Sequence, residues 1–166
     1  NGGFGSSGPK FPQTAWIELL FKAFGKGGED EYRQAGLKAL DAMIEGGIRD
    51  HIGGGFHRYC TDPGWTVPHF EKMLYDNALI PHALFLGYQL DRREDYREAA
   101  AEAFRFLERD MSHEGGGFYS ALDARSGGEE GAFYVWTPEQ VRDVLDGDLE
   151  ADLFLERYGV TDRGNF

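Results

Sequence analysis

Residues 53–78 read GGGFHRYCTDPGWTVPHFEKMLYDNA, and this stretch contains the pattern that decides the fold. Its Gly-Gly-Phe triplet, Gly54–Phe56, recurs at Gly2–Phe4 and at Gly116–Phe118. The phenylalanines are 52 and 62 residues apart, so each interval has room for two helices and a loop. A unit that recurs at such a period indicates helical hairpins that close into a ring or stack into a solenoid.

Helical periodicity and capping signals predict the elements between the triplets. The predicted helices are 13–24, 30–45, 68–90, 94–111, a fifth that begins at Pro138, and 148–158. Thr137 and Gln140 form a capping-box pattern before the fifth helix, and Pro81 is expected to kink or end the third. Segments 118–122 and 132–136 are predicted as short strands. The chain is therefore predicted to be all-α with short β-hairpin excursions, in hairpin units 1–52, 53–114 and 115–166.

Composition restricts the class of protein. The 166 residues are 41% hydrophobic and 14% aromatic, which is enough for a packed core. The formal net charge of −12 disfavours binding to nucleic acid or to an anionic membrane surface. The single cysteine, Cys60, excludes an internal disulfide, and the sequence shows no basic-then-apolar leader. We therefore expect a cytoplasmic protein.

Hydrogen-bonding and aromatic side chains are concentrated in residues 53–77, in a glycine-rich loop that leads into a predicted helix. This composition is typical of a binding site for a small polar ligand, although charged helix residues equally often form a solvated surface. Lys72 and Asp76 are four residues apart and are expected to pair on one helix face. The candidates for ligand contact are Phe56, Arg58, Tyr59, Trp65, Lys72, Tyr75, Asp76, Asn77 and Tyr119.

The same residues permit two kinds of catalysis. An epimerase or isomerase needs a base and an acid that titrate near neutrality, for which His57 and His69 are the candidates. A glycoside hydrolase needs two carboxyl groups, for which Glu71 or Asp76 with Asp123 are the candidates. Neither a metal nor a cofactor is predicted, because the sequence has no helical His pair, no Cys-x-x-Cys, no P-loop and no Rossmann fingerprint.

Three segments resemble a known family. Residues 1–12, which contain NGGFG and PKFP, the stretch GGIRDHIGGGFHRYCTDPGWTVPHFEKMLYDNA at 46–78 and GGFYSALDARSGGEEGAFYVWT at 116–137 are similar to the thioredoxin-domain-containing family that includes spermatogenesis-associated protein 20 and the YyaL-like proteins. The resemblance covers nearly the whole chain. Two positions depart from the family pattern, which has serine at Cys60 and an acidic residue at Arg125.

The resemblance implies a fold and a set of partners. Members are several times longer and carry an N-terminal thioredoxin-like domain followed by a six-hairpin α/α toroid, similar to sugar epimerases and six-hairpin glycosidases. This chain would be the first part of the toroid, with the remaining hairpins and the thioredoxin-like domain as its partners. Two functions are then open: a carbohydrate-related enzyme, or a non-catalytic module that binds a ligand or client. A partial toroid exposes apolar edges, so self-association is expected.

Overall fold

The computed structural model describes residues 2–164. These divide into two compact units, of which the first ends at Ala124 and the second begins at Arg125. The first unit contains α1 (Thr14–Gly25), α2 (Asp30–Glu45), β1 (Tyr59–Cys60), β2 (Pro68–His69), β3 (Lys72–Met73), α3 (Leu74–Asp91), α4 (Glu94–Phe106), a π-helical turn (Leu107–Met111) and β4 (Ala121–Leu122). The second contains β5 (Arg125–Ser126), β6 (Glu129–Glu130), α5 (Pro138–Val144) and α6 (Asp148–Tyr158). The all-α class with short strand pairs is confirmed.

Four helices of the first unit form two hairpins around one core. Short connections at 26–29 and 92–93 join α1 to α2 and α3 to α4, whereas long connections follow α2 and α4. The antiparallel pairing of β3 with β4 joins these two long connections. The long loops therefore gather at one end of the helices. Fully buried side chains from α2, α3 and α4 form the centre of the core: Leu40, Met43, Ile80, Leu84 and Ala103.

The prediction for the third helix was wrong at its start, and Pro81 does not end the helix. Residues 68–73 are used by strands that pair with β1 and β4, so the helix begins only at Leu74. Pro81 is buried and the helix continues past it to Asp91. Packing of α3 against three neighbouring helices offsets the backbone hydrogen bond that proline cannot donate.

The other element predictions have mixed outcomes. Helix 30–45 and helix 148–158 are confirmed, and the capping box at Thr137 and Gln140 forms with both hydrogen bonds present. Segment 132–136 is not a strand, because the hairpin closes earlier, between β5 and β6. The three-unit division stays a prediction. Across residues 2–164, no helix has the length and apolar character needed to cross a bilayer.

Candidate functional site

The two-stranded sheet of β1 and β2, with an isolated bridge from Lys10 to Cys60, holds a run of stacked rings at the loop end of the first unit. Lys10 exchanges both backbone hydrogen bonds with Cys60 at 2.8 and 2.9 Å, and β1 pairs with β2. Lys10 and Cys60 face the interior and are 1% and 0% exposed. Side chains alternate along a strand, so their neighbours Phe11, Tyr59 and His69 lie on the opposite face.

Phe11, Tyr59 and His69 form what we call the aromatic ladder. The ring centroids of Phe11 and Tyr59 are 4.8 Å apart, and those of Tyr59 and His69 are 5.0 Å apart, with both pairs nearly parallel. Phe11 is 42% exposed and the other two are half-buried. The ladder is therefore a preformed aromatic surface in contact with solvent.

Charged groups lie directly beside the ladder. Arg58 Nη1 donates to Glu71 Oε2 at 2.9 Å, and His69 Nε2 is 3.8 Å from the same oxygen. The backbone N–H of Arg58 also donates to the Glu71 carbonyl at 2.8 Å, which fixes the two strands together. Asp76 is close enough for the charges of Arg58 and Glu71 to act on its carboxyl group. We call Arg58, His69, Glu71 and Asp76 the charged cluster.

Asp76 has unusual protonation chemistry. It is 8% exposed, and its Oδ2 has no hydrogen-bond partner within residues 2–164. Burial raises the pKa of this carboxyl to about 7, and the negative charge of Glu71 acts in the same direction, whereas Arg58 and Tyr75 lower it. A carboxyl that titrates near neutrality is suited to exchanging a proton with a ligand.

His57 has the opposite character. It is 2% exposed, and burial followed by the charge of Lys72 lowers the pKa of its imidazole to about 3. Its ring packs edge-on against Phe70, with centroids 5.5 Å apart. An imidazole with this pKa is neutral at pH 7 and is a weak base. The predicted catalytic role of His57 thus has no support from its surroundings.

Lys72 holds the second Gly-Gly-Phe loop in place. Its ammonium group donates to Asp50 Oδ2 and to the Gly54 carbonyl, both at 2.8 Å, and lies 4.3 Å from the centre of the Phe106 ring. Lys72 is 1% exposed. The predicted pairing of Lys72 with Asp76 on one helix face is wrong, because Lys72 lies in β3 and α3 begins only at Leu74.

Asn77 fixes the same loop from the helix. Its Oδ1 accepts from Phe56 N at 2.7 Å, and its Nδ2 donates to the carbonyls of Phe56 and Met73, both at 2.9 Å. Trp65, which is 2% exposed, donates from Nε1 to the Gly2 carbonyl at 3.2 Å and so fixes the first triplet. Phe56 itself is fully buried. These contacts give Phe56, Trp65, Lys72 and Asn77 structural roles, and their predicted ligand contact stays a prediction.

The third Gly-Gly-Phe triplet leads into β4, the strand that pairs with β3. β3 pairs with β4 with Lys72 opposite Leu122, and Glu71 and Asp123 are the residues that adjoin this pair just outside the strands. Side chains directly opposite each other on neighbouring strands are close enough to interact. Tyr119 is 50% exposed and its ring meets His113 edge-on with centroids 5.3 Å apart. The pairing of Glu71 with Asp123 that the two-carboxyl hypothesis requires stays a prediction.

Two residues of this region were missed from the sequence. Phe11 completes the aromatic ladder. The sequence signal for it was that Lys10–Phe11 and Tyr59–Cys60 each place one aromatic residue next to one residue that faces the interior. Asp50 is the partner of Lys72 and accepts from the backbone N–H groups of Ile52 and Gly53 at 3.0 and 2.8 Å. An aspartate before a glycine run is a common turn signal, but the sequence does not reveal its distant partner.

Helical hairpins with their long loops gathered at one end define the class: this chain has the fold of part of an α/α toroid. The solved structures agree. Cellobiose 2-epimerase from Spirochaeta thermophila matches with a TM-score of 0.65 and 26% identity over 74% of this chain and 33% of that chain. D-mannose isomerase matches with a TM-score of 0.60 and 26% identity over 73% of this chain and 30% of that chain.

The sequence is also similar to a particular protein. It is 41% identical over 182 aligned residues to spermatogenesis-associated protein 20 of Homo sapiens, an alignment that covers 99% of this chain and 23% of the relative. The chain therefore spans about a quarter of the length of the curated relatives it matches. No family model matches the sequence.

Proposed function

We propose that this chain is a segment of the toroid domain of a protein in the family of spermatogenesis-associated protein 20, and that its aromatic ladder and charged cluster bind a sugar. The 41% identity along 99% of the chain supports the membership. The sugar as ligand is supported by two structural neighbours, a cellobiose 2-epimerase and a D-mannose isomerase.

The observation that carries the proposal is the position of the ladder next to the charged cluster. Sugar rings present apolar C–H faces that stack on aromatic rings and hydroxyl groups that bind charged side chains. Phe11, Tyr59 and His69 offer the first kind of surface, and Arg58 with Glu71 offers the second. The two surfaces adjoin, since His69 Nε2 of the ladder is 3.8 Å from Glu71 Oε2, so a ligand of one or two sugar rings can contact them together.

Asp76 is the proton-exchanging group in this proposal. Epimerisation next to a carbonyl requires a group that gains and loses a proton near neutral pH. The Asp76 pKa of about 7 meets that need better than the His57 pKa of about 3. Glu71 and Asp123 at adjacent register positions keep a hydrolytic version open, in which two carboxyl groups flank the scissile bond.

A second function is favoured by the internal contacts. His57, Lys72 and Asn77 are buried and occupied with holding loops, and Glu71 is paired with Arg58. A region built this way would suit a binding module without chemistry of its own, which holds a small ligand or a client for a thioredoxin-like domain in the longer parent protein. A cytoplasmic location of the protein is also part of what we propose.

Ligand-dependent thermal melting tests the first function. Cellobiose, mannose and glucose are added to the chain at concentrations up to 100 times the dissociation constant, where binding adds about 2.7 kcal/mol of stability. For a domain of this size, this corresponds to a rise in Tm of about 5–11 °C. Tyr59→Ala should abolish the shift, and Tyr32→Ala, on an aromatic residue of α2 that is 41% exposed, should not.

The outcomes separate the two functions. A sugar shift that Tyr59→Ala removes, together with turnover that Asp76→Asn removes, supports the enzyme. A sugar shift without turnover supports the binding module. If no sugar shifts the melting of the chain or of the longer parent protein, the sugar-binding proposal is wrong.

A further inference from the structure

A cleft lies at the loop end of the first unit, and none of its lining residues belongs to the aromatic ladder. It has a volume of about 220 Å³ and lies between the turn 51–54 and the C-terminal part of α4 with the π-helical turn. Its side-chain lining is mainly charged or ionisable: His51, Glu102, Arg105 and Arg109. None of these residues belongs to the charged cluster, so the cleft is a separate feature of the molecule.

The cleft is lined by more cationic side chains than anionic ones. Glu102, its one lining carboxylate, is already engaged by Arg49 Nη2 at 2.5 Å. Arg105 makes no ion pair or hydrogen bond with any residue in the range 2–164. An arginine without a counter-ion beside a second arginine is unexpected in a chain whose net charge is −12.

Arg109 is held in position for a ligand. One of its guanidinium nitrogens, Nη2, donates to the Gly53 carbonyl at 2.6 Å and to Asp110 Oδ2, and Nε donates to Asp110 Oδ1 at 2.9 Å. These bonds fix the plane of the guanidinium, and its Nη1 makes no hydrogen bond with residues 2–164. Arg105 is four residues earlier, so the two guanidinium groups lie on the same helical face.

His51 completes the lining on the opposite wall. Its Nε2 is hydrogen-bonded to the Gly46 carbonyl at 3.0 Å, which orients the ring and assigns the proton to this nitrogen. The turn that carries His51 is itself fixed, because Asp50 accepts from two of its backbone N–H groups. Both walls of the cleft are thus preorganised, which lowers the cost of binding.

We propose that this cleft binds a tetrahedral oxyanion, with Arg105 and Arg109 as the main ligands and His51 at its edge. Guanidinium groups match the geometry of phosphate oxygens and form charge-assisted hydrogen bonds with them. The volume accommodates a phosphate group with additional atoms attached to it. The anion can be free phosphate or the phosphate of a phosphorylated sugar, and these share the same chemistry at the cleft. The site does not depend on the proposed sugar binding, since it uses different residues.

Calorimetric titration of the full chain with inorganic phosphate, at constant ionic strength set by chloride, tests the site. We expect saturable binding that Arg105→Gln weakens about tenfold or more, the loss of one charge-assisted contact. Arg97→Gln is the matched control, because Arg97 lies on the same helix and is paired with Glu94 at 2.6 Å outside the cleft. Glu102→Gln should tighten binding, since it removes the one carboxylate and releases Arg49.

Each result has a definite meaning. Arg97 and Arg105 are exposed and Glu102 is half-buried, so circular dichroism should show an unchanged fold for the two arginine variants and serves as the check on Glu102→Gln. Tighter binding of glucose 6-phosphate than of phosphate assigns a phosphorylated sugar as the ligand, and equal binding assigns the free anion. Absence of saturable binding overturns the proposal, and so does an equal effect of Arg97→Gln and Arg105→Gln. If the chain binds phosphate but none of the sugars, the proposed sugar-binding function is rejected and the oxyanion site is retained.

Discussion

Replacing Lys72 by methionine removes the cation that fixes the second Gly-Gly-Phe loop while keeping a side chain of similar length. The ammonium group has three observed interactions: with Asp50, with the Gly54 carbonyl and with the Phe106 ring. The side chains of Lys72 and Asp50 are only 2% and 12% exposed. The variant therefore leaves a nearly buried carboxylate without its cation and a carbonyl without its donor.

The cost can be worked out from these contacts. Removing one partner of a buried ion pair costs about 3–5 kcal/mol, because the remaining charge stays desolvated. Asp50 keeps the two backbone N–H groups of Ile52 and Gly53, which places the expected loss toward the lower value. A loss of about 3 kcal/mol lowers the Tm of a domain of this size by about 6–12 °C.

Urea unfolding followed by circular dichroism measures this loss. Asp50→Asn alone should also destabilise, since it leaves the Lys72 ammonium buried without a carboxylate. The double variant should lose clearly less than the sum of the two, because neither charge then remains unpaired. Lys22→Met is the matched control: Lys22 pairs with Glu18 at 3.5 Å but is 70% exposed, so its loss should stay below about 1 kcal/mol. Equal losses for Lys72→Met and Lys22→Met would refute the reasoning.

Three further predictions concern protonation, backbone and assembly. Asp76→Asn should stabilise the chain, because in this pH range the folded state holds the Asp76 proton that the unfolded state releases. The gain in free energy of unfolding should grow by about 1.4 kcal/mol per pH unit from pH 3.8 to about 7. Urea unfolding across this range measures the gain, and a constant gain would contradict the raised pKa. Gly55→Ala should cost about 3 kcal/mol, since its Cβ would lie 2.5 Å from an aromatic carbon at a φ of +78°, whereas Gly116→Ala, with open space at a φ of +89°, should cost about 1 kcal/mol in the same assay. Trp16 and Leu19 are 55% and 67% exposed, so light scattering should detect dimers or larger species that Trp16→Ser with Leu19→Ser reduces; a monomer at high concentration would count against this.

Much of the fold could be predicted because its signals are local. The capping box at Thr137 and Gln140 and the helix Asp30–Glu45 depend on residues within one or two turns of each other. The third helix was misplaced because Pro68 satisfies the rules for a helix start and also those for a strand edge. Strand partners distant in the sequence decided between the two, and local rules contain no information about them.

The candidate site was predicted as a region and not as a geometry. The sequence placed the polar and aromatic side chains of 53–77 in one loop, but it could not separate ligand-facing residues from buried ones. Asn77 was a candidate for ligand contact, and the structure shows its amide bonded to the Phe56 backbone. Glu71 and Asp123 were paired only as a hypothesis, and the pairing of β3 with β4 shows that the two residues adjoin the same strand pair, Lys72 opposite Leu122.

The sequence by itself determined the helical hairpins, the repeated Gly-Gly-Phe turns and the resemblance to a toroid family, because periodicity, caps and left-handed glycines are properties of short segments. The tertiary structure alone decided which side of each strand is buried, that Lys72 pairs with Asp50, and that His57 and Asp76 have pKa values shifted in opposite directions. Burial and charge pairing depend on residues that are far apart in the chain and close together in space. Folding sets the desolvation of each group, and desolvation sets its chemistry.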